Sequence, residues 1–294
     1  MSIDAQYLYG HTTGIQIQFF ILPLIIYFLS LQIGIMYIVT GIYLFYLFMP
    51  LILLLIGSFG SVWMNSLLPS GLTFQWYLDL WEDVSFRNAF MVSMKVVLAT
   101  CVLSTFLSLP LAYALHKGTS KGVKIAGRIA FLLPIAVPPV VLAFGFILVF
   151  SSDALPWLGS IWLLIAGHVI LTLPYLLNTL VSDMRHLRLD ELELAAECLG
   201  ASFFERFMDI IVPLVRHSLA SGLIMVAALS IGEFQLSNLV SGFLSRNYPV
   251  VLLQAFYGAT GFACAATVVL LSLAIVAAFS GALTARSTSR YRRK

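Results

Sequence analysis

"DELELAAECLGASFFERFMDIIVP", residues Asp190–Pro213, is an unusually charged stretch within a strongly apolar chain. Ten charged residues fall between Asp183 and Asp209, whereas the 294-residue chain contains only 16 Lys and Arg and 13 Asp and Glu in all. With 61% hydrophobic and 10% charged residues, the composition lies far from that of soluble proteins, in which about a quarter of residues are charged. We therefore predict an all-α fold, a polytopic membrane helix bundle that one charged insert interrupts.

Apolar runs of about twenty residues mark the expected membrane spans. Residues 15–56 carry no formal charge over 42 positions. One helix of that length would be about 63 Å long, twice the hydrocarbon core. We expect two spans here that turn near Gln32–Gly34, or alternatively an interfacial first helix. The other expected spans are residues 88–115, 125–150, 160–181, 214–233 and 261–283.

This layout predicts six core transmembrane helices plus an extra helix at the N-terminus. Residues 1–34 would form an N-terminal extension, residues 35–284 the core, and residues 285–294 a basic tail. Residues 116–128, the charged insert with Arg216, and the tail together hold 13 of the 16 Lys and Arg residues. Because cytoplasmic loops are enriched in these residues, we place all three segments and the C-terminus on the cytoplasmic side.

The residue pattern of the insert predicts an amphipathic helix–turn–helix. Asp190 and Glu193 suggest a capping box at the start of the first helix, and Gly200 can adopt the left-handed conformation that ends it. Ser202 and Glu205 form an S-x-x-E capping box for the second helix. The apolar faces of these helices need a partner, which is either the lipid headgroups, the chain's own bundle or a groove on another protein.

The insert also contains a spaced motif of two alanines, three residues, a glycine, nine residues and the tetrapeptide IIVP. Its defining residues are Ala195, Ala196, Gly200, Ile210 and Pro213. This spacing resembles the EAA loop of permeases from binding-protein-dependent ABC importers, which reads E-A-A, three residues, Gly, nine residues and I-x-L-P. Leu194 stands where that motif has Glu, although Glu193 is adjacent, and Val212 replaces Leu. The resemblance extends over residues 86–283, including the segments LPLAYAL, LLPIAVPPVV and GEF.

The resemblance implies a role and a set of partners. It implies a permease in the bacterial inner membrane, in contact with lipid, that forms half of a translocation pathway together with a second permease subunit. An extracytoplasmic solute-binding protein would deliver a small solute of the polyamine, phosphonate, ferric iron or thiamine group. A cytoplasmic ABC ATPase dimer, holding ATP and Mg, would contact residues 190–213. The implied contact residues are Ala195, Ala196, Gly200, Ala201, Ser202, Phe203, Phe204, Glu205, Ile210 and Pro213.

The chain itself carries no P-loop motif for ATP binding. A P-loop requires Gly followed by Lys, and no Lys directly follows a Gly in this sequence. The patterns H-E-x-x-H and C-x-x-C are also absent. We therefore expect a transport subunit and not an enzyme, with no cofactor bound by this chain and no nucleic acid as a partner.

Charged and helix-breaking residues inside the expected spans are the candidates for lining a translocation pathway. Glu233, in the GEF segment, is either an interfacial acid or part of the pathway. Lys95 either snorkels to the outer interface, pairs with Glu233 or lines the pathway. Pro134, Pro138 and Pro139 must kink or break their helix, as a packing bend or as part of a pathway wall.

Two other functions are compatible with a membrane helix bundle. A secondary transporter would use Glu233 or Lys95 as its coupling group, although no internal duplication of the kind found in such proteins is visible. A membrane scaffold would use the insert to recruit a soluble partner. Replacing Gly200 by a bulky β-branched residue distinguishes the three, because only the importer should lose uptake while still inserting normally.

Overall fold

The computed structural model describes the backbone of residues 4–63, 68–118, 121–187 and 189–291. The helices there are α1 Asp4–Phe59, α2 Gln75–Glu82, α3 Val84–Lys117, α4 Lys121–Ala136, α5 Pro139–Phe150, α6 Ile161–His186, α7 Leu189–Cys198, α8 Phe203–Glu205, α9 Val212–Ile231, α10 Gln235–Val240, α11 Tyr248–Ala255 and α12 Thr260–Tyr291. The only extended pairing among these residues consists of two isolated bridges, Gly60 with Leu72 and Gly159 with Ser241. The predicted all-α fold is confirmed.

Among the described residues, four helices are long and apolar enough to cross a membrane. They are Gln32–Phe59, Val84–Lys117, Ile161–His186 and Phe203–Ile231. Two shorter apolar helices, Pro139–Phe150 and Thr260–Val276, accompany them. These helices confirm a polytopic membrane protein, whereas the total of six core spans plus one extra helix stays a prediction.

The chain divides into two compact units, Met1–Leu55 and Ile56–Lys294. In the first unit, the expected turn near Gln32–Gly34 is wrong, because α1 is helical throughout that stretch. The sequence between Pro23 and Pro50 contains no proline to interrupt the backbone hydrogen bonds. A single glycine in a helix costs only about 1 kcal/mol relative to alanine, so Gly34 does not end the helix.

The core of the second unit lies where α3, α6 and α9 pack against one another. Its largest buried side chains in this region include Leu176, Leu180 and Val215. Because lipid is as apolar as these side chains, close packing holds such helices together more than exclusion of water does. Gly222 makes that packing possible, since an added Cβ would lie 2.5 Å from Leu176 Cδ1.

The proline-rich segment breaks its helix, as the sequence predicts. The expected span at residues 125–150 is divided between α4 and α5, and Pro138 between them has an extended ψ of 139°. Neither Pro138 nor Pro139 has an N–H group to donate to the residue four positions earlier. The carbonyl groups of Pro134 and Ile135 therefore have no helical donor. Such groups are tolerated at membrane depth where they are buried in protein or line a water-filled cavity.

Candidate coupling loop and translocation cavity

The EAA-like loop, residues 183–213, contains α7 and turns at Gly200. Gly200 has a φ of +86°, a left-handed conformation that favours glycine, and no atom lies within 4 Å of an added Cβ. Its N–H donates to the Glu197 carbonyl at 2.9 Å, and the Ala201 N–H donates to the Ala196 carbonyl at 3.0 Å. These two bonds form a Schellman motif, so backbone geometry and not packing ends α7.

The second half of the loop begins with the predicted capping box. The Ser202 N–H donates to Glu205 Oε2 at 2.7 Å, and the Glu205 N–H donates to Ser202 Oγ at 3.4 Å. The chain then continues from α8 through a π-helical segment, Arg206–Ile211, into α9. Pro213 lies in the first turn of α9, where it has no N–H to complete an α-helical bond to the π-helical segment.

The start of α7 differs from the capping box that the sequence suggests. Asp190 lies inside the first turn of α7, and Lys117 Nζ donates to its Oδ1 at 2.9 Å. Glu193 has a side chain that is only 4% exposed, and Lys117 Nζ lies 2.9 Å from its Oε2. The Tyr113 hydroxyl donates to Glu193 Oε1 at 2.5 Å. Both acids therefore bind the end of α3, where Lys117 supplies a cationic donor to each.

We call Tyr113, Lys117, Asp190 and Glu193 the α3–α7 latch. The hydrogen bond from Lys117 holds the pKa of Asp190 below its ordinary value. Burial alone would raise the pKa of Glu193, but the hydrogen bonds from Tyr113 and Lys117 and the Lys117 charge outweigh it and lower that pKa. Both carboxylates are therefore ionised at neutral pH, and the latch is held by charge.

The buried acid of α7, Glu193, lies one position before Leu194, where the EAA motif has its Glu. Leu194, which occupies that place, has 62% of its surface exposed. Glu193 is buried against α3 instead. Successive residues of a helix point about 100° apart, so this displacement moves the carboxylate from the outer face of α7 to its inner face.

Most of the residues that the resemblance implies for ATPase contact lie at the surface. Exposed are Ala195, Gly200, Ser202, Phe203, Phe204, Glu205 and Pro213, whereas Ala196, Ala201 and Ile210 are partly buried. Leu199 and Phe204 are 89% and 65% exposed, so the turn presents large apolar side chains. The Phe203 ring also packs toward α3, with its centroid 5.7 Å from that of Tyr113.

A cavity of about 210 Å³ lies where α4, α5, α6 and α9 meet. Its described lining comprises Pro134, Ile135, Val137, Pro139, His168, Leu171, Thr172, Tyr175, Leu229, Ser230 and Glu233. Three of the five predicted pathway residues, Glu233, Pro134 and Pro139, therefore line one cavity. Pro138 is exposed between α4 and α5 and is not part of this lining.

The Glu233 carboxylate is fixed by the start of α10. Its Oε1 accepts the Leu236 N–H at 2.7 Å, and its Oε2 accepts the Ser237 N–H at 3.0 Å and the Ser237 hydroxyl at 2.6 Å. His168 Nε2 lies 3.6 Å from Oε2, and the Glu233 side chain is 11% exposed. Glu233 is thus a positioned acid in the cavity wall. Lys95 is exposed on α3 and makes no ion pair with it.

Sequence reasoning missed the partners of both sites. Tyr113 and Lys117 lie about 80 positions before Glu193, and His168 lies 65 positions before Glu233. A lone histidine inside an apolar span was the available signal for the cavity. His168 is buried and shares its two ring nitrogens with the hydroxyls of Ser230 and Ser237, at 2.7 and 3.0 Å.

Comparison with known proteins identifies related chains. Residues 105–290 match the family model described as "Binding-protein-dependent transport system inner membrane component". The spermidine/putrescine transport system permease protein PotC of Escherichia coli (strain K12) is 27% identical over 254 residues, which cover 83% of this chain and 91% of that protein. The putative 2-aminoethylphosphonate transport system permease protein PhnV of Salmonella paratyphi A is 26% identical over 188 residues, which cover 64% and 69%.

Two solved structures share the fold of the chain. One is a bacterial ABC transporter involved in the import of the acidic polysaccharide alginate, with a TM-score of 0.67 and 17% identity over 84% of this chain and 92% of that one. The other is an alginate ABC transporter in complex with an alginate pentasaccharide-bound periplasmic protein, with a TM-score of 0.67 and 15% identity over 85% and 93%. At these identities the likeness establishes the fold alone.

Proposed function

The chain belongs to the family of binding-protein-dependent transport system inner membrane components, and we propose that its EAA-like loop couples it to a separate ATPase. In this proposal the chain forms half of the translocation pathway of an ATP-driven importer. A cytoplasmic ABC ATPase dimer binds ATP and Mg and receives the loop. The observation that carries the proposal is the exposed apolar turn at Gly200, which the Schellman motif and the Ser202 capping box hold in one conformation.

The α3–α7 latch supports the coupling role because it ties the loop to a long apolar helix. A force on α7 passes through the buried Glu193 to Tyr113 and Lys117 at the end of α3. A loop without such contacts would absorb the displacement. Moving a two-state transporter from 1:99 to 99:1 takes about 5.5 kcal/mol of differential binding, which closure of an ATP-loaded partner can supply.

Membership of the family supports two further partners in this proposal. A second permease subunit, identical or a sister chain, completes the pathway, and an extracytoplasmic solute-binding protein docks on the side opposite the loop. The alginate transporter in complex with its periplasmic protein supports that arrangement by analogy of fold. In this proposal the EAA-like loop and the C-terminus lie in the cytoplasm, with the basic tail, residues 285–294, beside the lipid headgroups; the distribution of Lys and Arg supports this orientation.

The substrate is a small solute of the polyamine, phosphonate, ferric iron or thiamine group. Relatives named for spermidine/putrescine and for 2-aminoethylphosphonate transport support this set. Glu233, Pro134 and Pro139 line the cavity through which we expect the solute to pass, whereas Lys95 lies on the exposed surface of α3.

Copurification tests the coupling proposal. The full chain is tagged at its C-terminus, expressed in its own host, extracted in mild detergent and compared with Gly200→Val. Valine strains the left-handed conformation at that position, so we expect the wild-type chain to retain an ABC ATPase and the variant to lose it.

Gly41→Val is the matched control, because Gly41 has no left-handed φ and no atom within 4 Å of an added Cβ. It should retain the ATPase as the wild type does. If the well-folded wild-type chain brings down no ATPase, the coupling proposal is wrong and transport driven through Glu233 becomes the better account. If Gly200→Val keeps its ATPase, the turn is not the docking element.

A further inference from the structure

The polar lining of the cavity between α4, α5, α6 and α9 includes one fixed carboxylate and several hydrogen-bond acceptors, beside the side chains of His168, Ser230 and Tyr175. The Thr172 hydroxyl donates to the His168 carbonyl at 2.8 Å, which leaves its oxygen free to accept. The helix break leaves the carbonyls of Pro134 and Ile135 without a helical donor, and both residues line the cavity. Acceptors on two walls suit a ligand that carries several N–H donors.

The charge of the cavity points to the same kind of ligand. Among its described lining residues, Glu233 is the only acid and there is no Lys or Arg. The Leu236 and Ser237 groups that bind this carboxylate are neutral dipoles, so they orient the negative charge without cancelling it. His168 lies 3.6 Å from Oε2, and its two ring nitrogens bind the hydroxyls of Ser230 and Ser237. A charge inside a membrane protein needs a cationic partner or water, and an anionic ligand group would be repelled here.

The size and the walls of the cavity limit the ligand further. Its volume of about 210 Å³ is below that of pockets for drug-sized molecules. Leu171, Leu229 and Val137 supply apolar wall beside the polar groups. A short methylene chain that ends in an ammonium group matches both the volume and the mixture of surfaces.

We propose that this cavity binds the primary ammonium group of a short aliphatic amine as the solute crosses the membrane. The ammonium donates to Glu233 and to the acceptors of the α4–α5 break, and the alkyl chain lies along the leucine wall. This inference rests on the proposed transport function and narrows its substrate set to amine-bearing solutes. It makes Glu233 a specificity-determining residue.

A charge series tests the site. Binding of radiolabelled putrescine is measured on the purified full chain in lipid nanodiscs, with whatever subunits copurify. Unlabelled putrescine, 1,4-butanediol and succinate serve as competitors of equal chain length and different charge. We expect saturable binding that putrescine displaces and that the diol and the diacid do not. Equal displacement by 1,4-butanediol, or no saturable putrescine binding at all, would overturn the proposal.

Glu233→Gln keeps an oxygen for the start of α10 and removes the charge, so it should weaken putrescine binding at least about tenfold. Asp153→Asn is the control, since Asp153 is exposed and lies outside the cavity lining; it should bind as the wild type does. Unchanged affinity in Glu233→Gln refutes the site. Recovery of an ATPase without amine binding refutes this inference alone, whereas amine binding without any ATPase refutes only the coupling proposal.

Discussion

Removing Lys117 from the α3–α7 latch should destabilise the chain, and removing Glu193 as well should relieve part of that loss. Lys117→Met keeps an unbranched side chain, one atom shorter, and takes away its charge, which leaves the buried Glu193 carboxylate with its hydrogen bond from Tyr113. Breaking a fully buried pair costs about 3–5 kcal/mol, and exposed pairs contribute under about 1 kcal/mol. Because Lys117 is 38% exposed and Glu193 is 4% exposed, we expect a loss of about 2 kcal/mol.

A double-mutant cycle measures this pair directly. Lys117→Met, Glu193→Leu and the double variant are unfolded with SDS in mixed micelles and followed through the fluorescence of the five tryptophans. The double variant removes the carboxylate together with its partner, so its loss of unfolding free energy should fall short of the sum of the single losses by about 2 kcal/mol.

Asp190→Asn is the matched control, because Asp190 binds the same lysine but is 68% exposed. Its effect should stay within about 1 kcal/mol. If the losses of Lys117→Met and Glu193→Leu add to within about 0.5 kcal/mol, the two side chains are energetically independent and the latch is not a structural unit.

Three further outcomes follow from the structure. The pKa values of Glu193 and Asp190 are lowered in the fold, so the stability that they contribute is complete at neutral pH and is lost as the pH falls through those values. Glu193→Gln should reduce this loss in the free energy of unfolding measured between pH 7 and 3. Gly222→Ala should cost about 1–3 kcal/mol in the same assay because the added methyl meets a leucine, whereas Gly41→Ala should not destabilise. Ser202→Ala should cost about 1 kcal/mol and speed hydrogen exchange at the start of α8, and unchanged exchange would contradict the capping role.

The parts of the fold that were predictable depend on local backbone chemistry. Gly200 and Ser202 direct the chain through glycine's access to left-handed φ and through a side chain that reaches a nearby N–H. The prolines at 138 and 139 act through a missing N–H. Each effect operates within four residues, so the order of residues alone reveals it.

The parts that were not predictable depend on which helices become neighbours. The sequence predicts that Glu193 caps its own helix, whereas in the fold α3 lies beside it and Lys117 binds its carboxylate. In the sequence His168 is an isolated histidine, whereas in the fold it contacts Ser237 of α10. The turn expected near Gln32–Gly34 was wrong because the length of an apolar run does not reveal where a helix turns, and α1 is continuous there.

The break between α4 and α5 has a mechanical consequence. Backbone hydrogen bonds let a helix transmit a force along its axis. At Pro138 and Pro139 the regular series of these bonds is interrupted. A displacement of one end of α4 is therefore not transmitted to α5 as it would be along one continuous helix. The helices α4 and α5 can therefore move independently of each other. Replacing Pro138 and Pro139 with alanine would join them into one continuous helix.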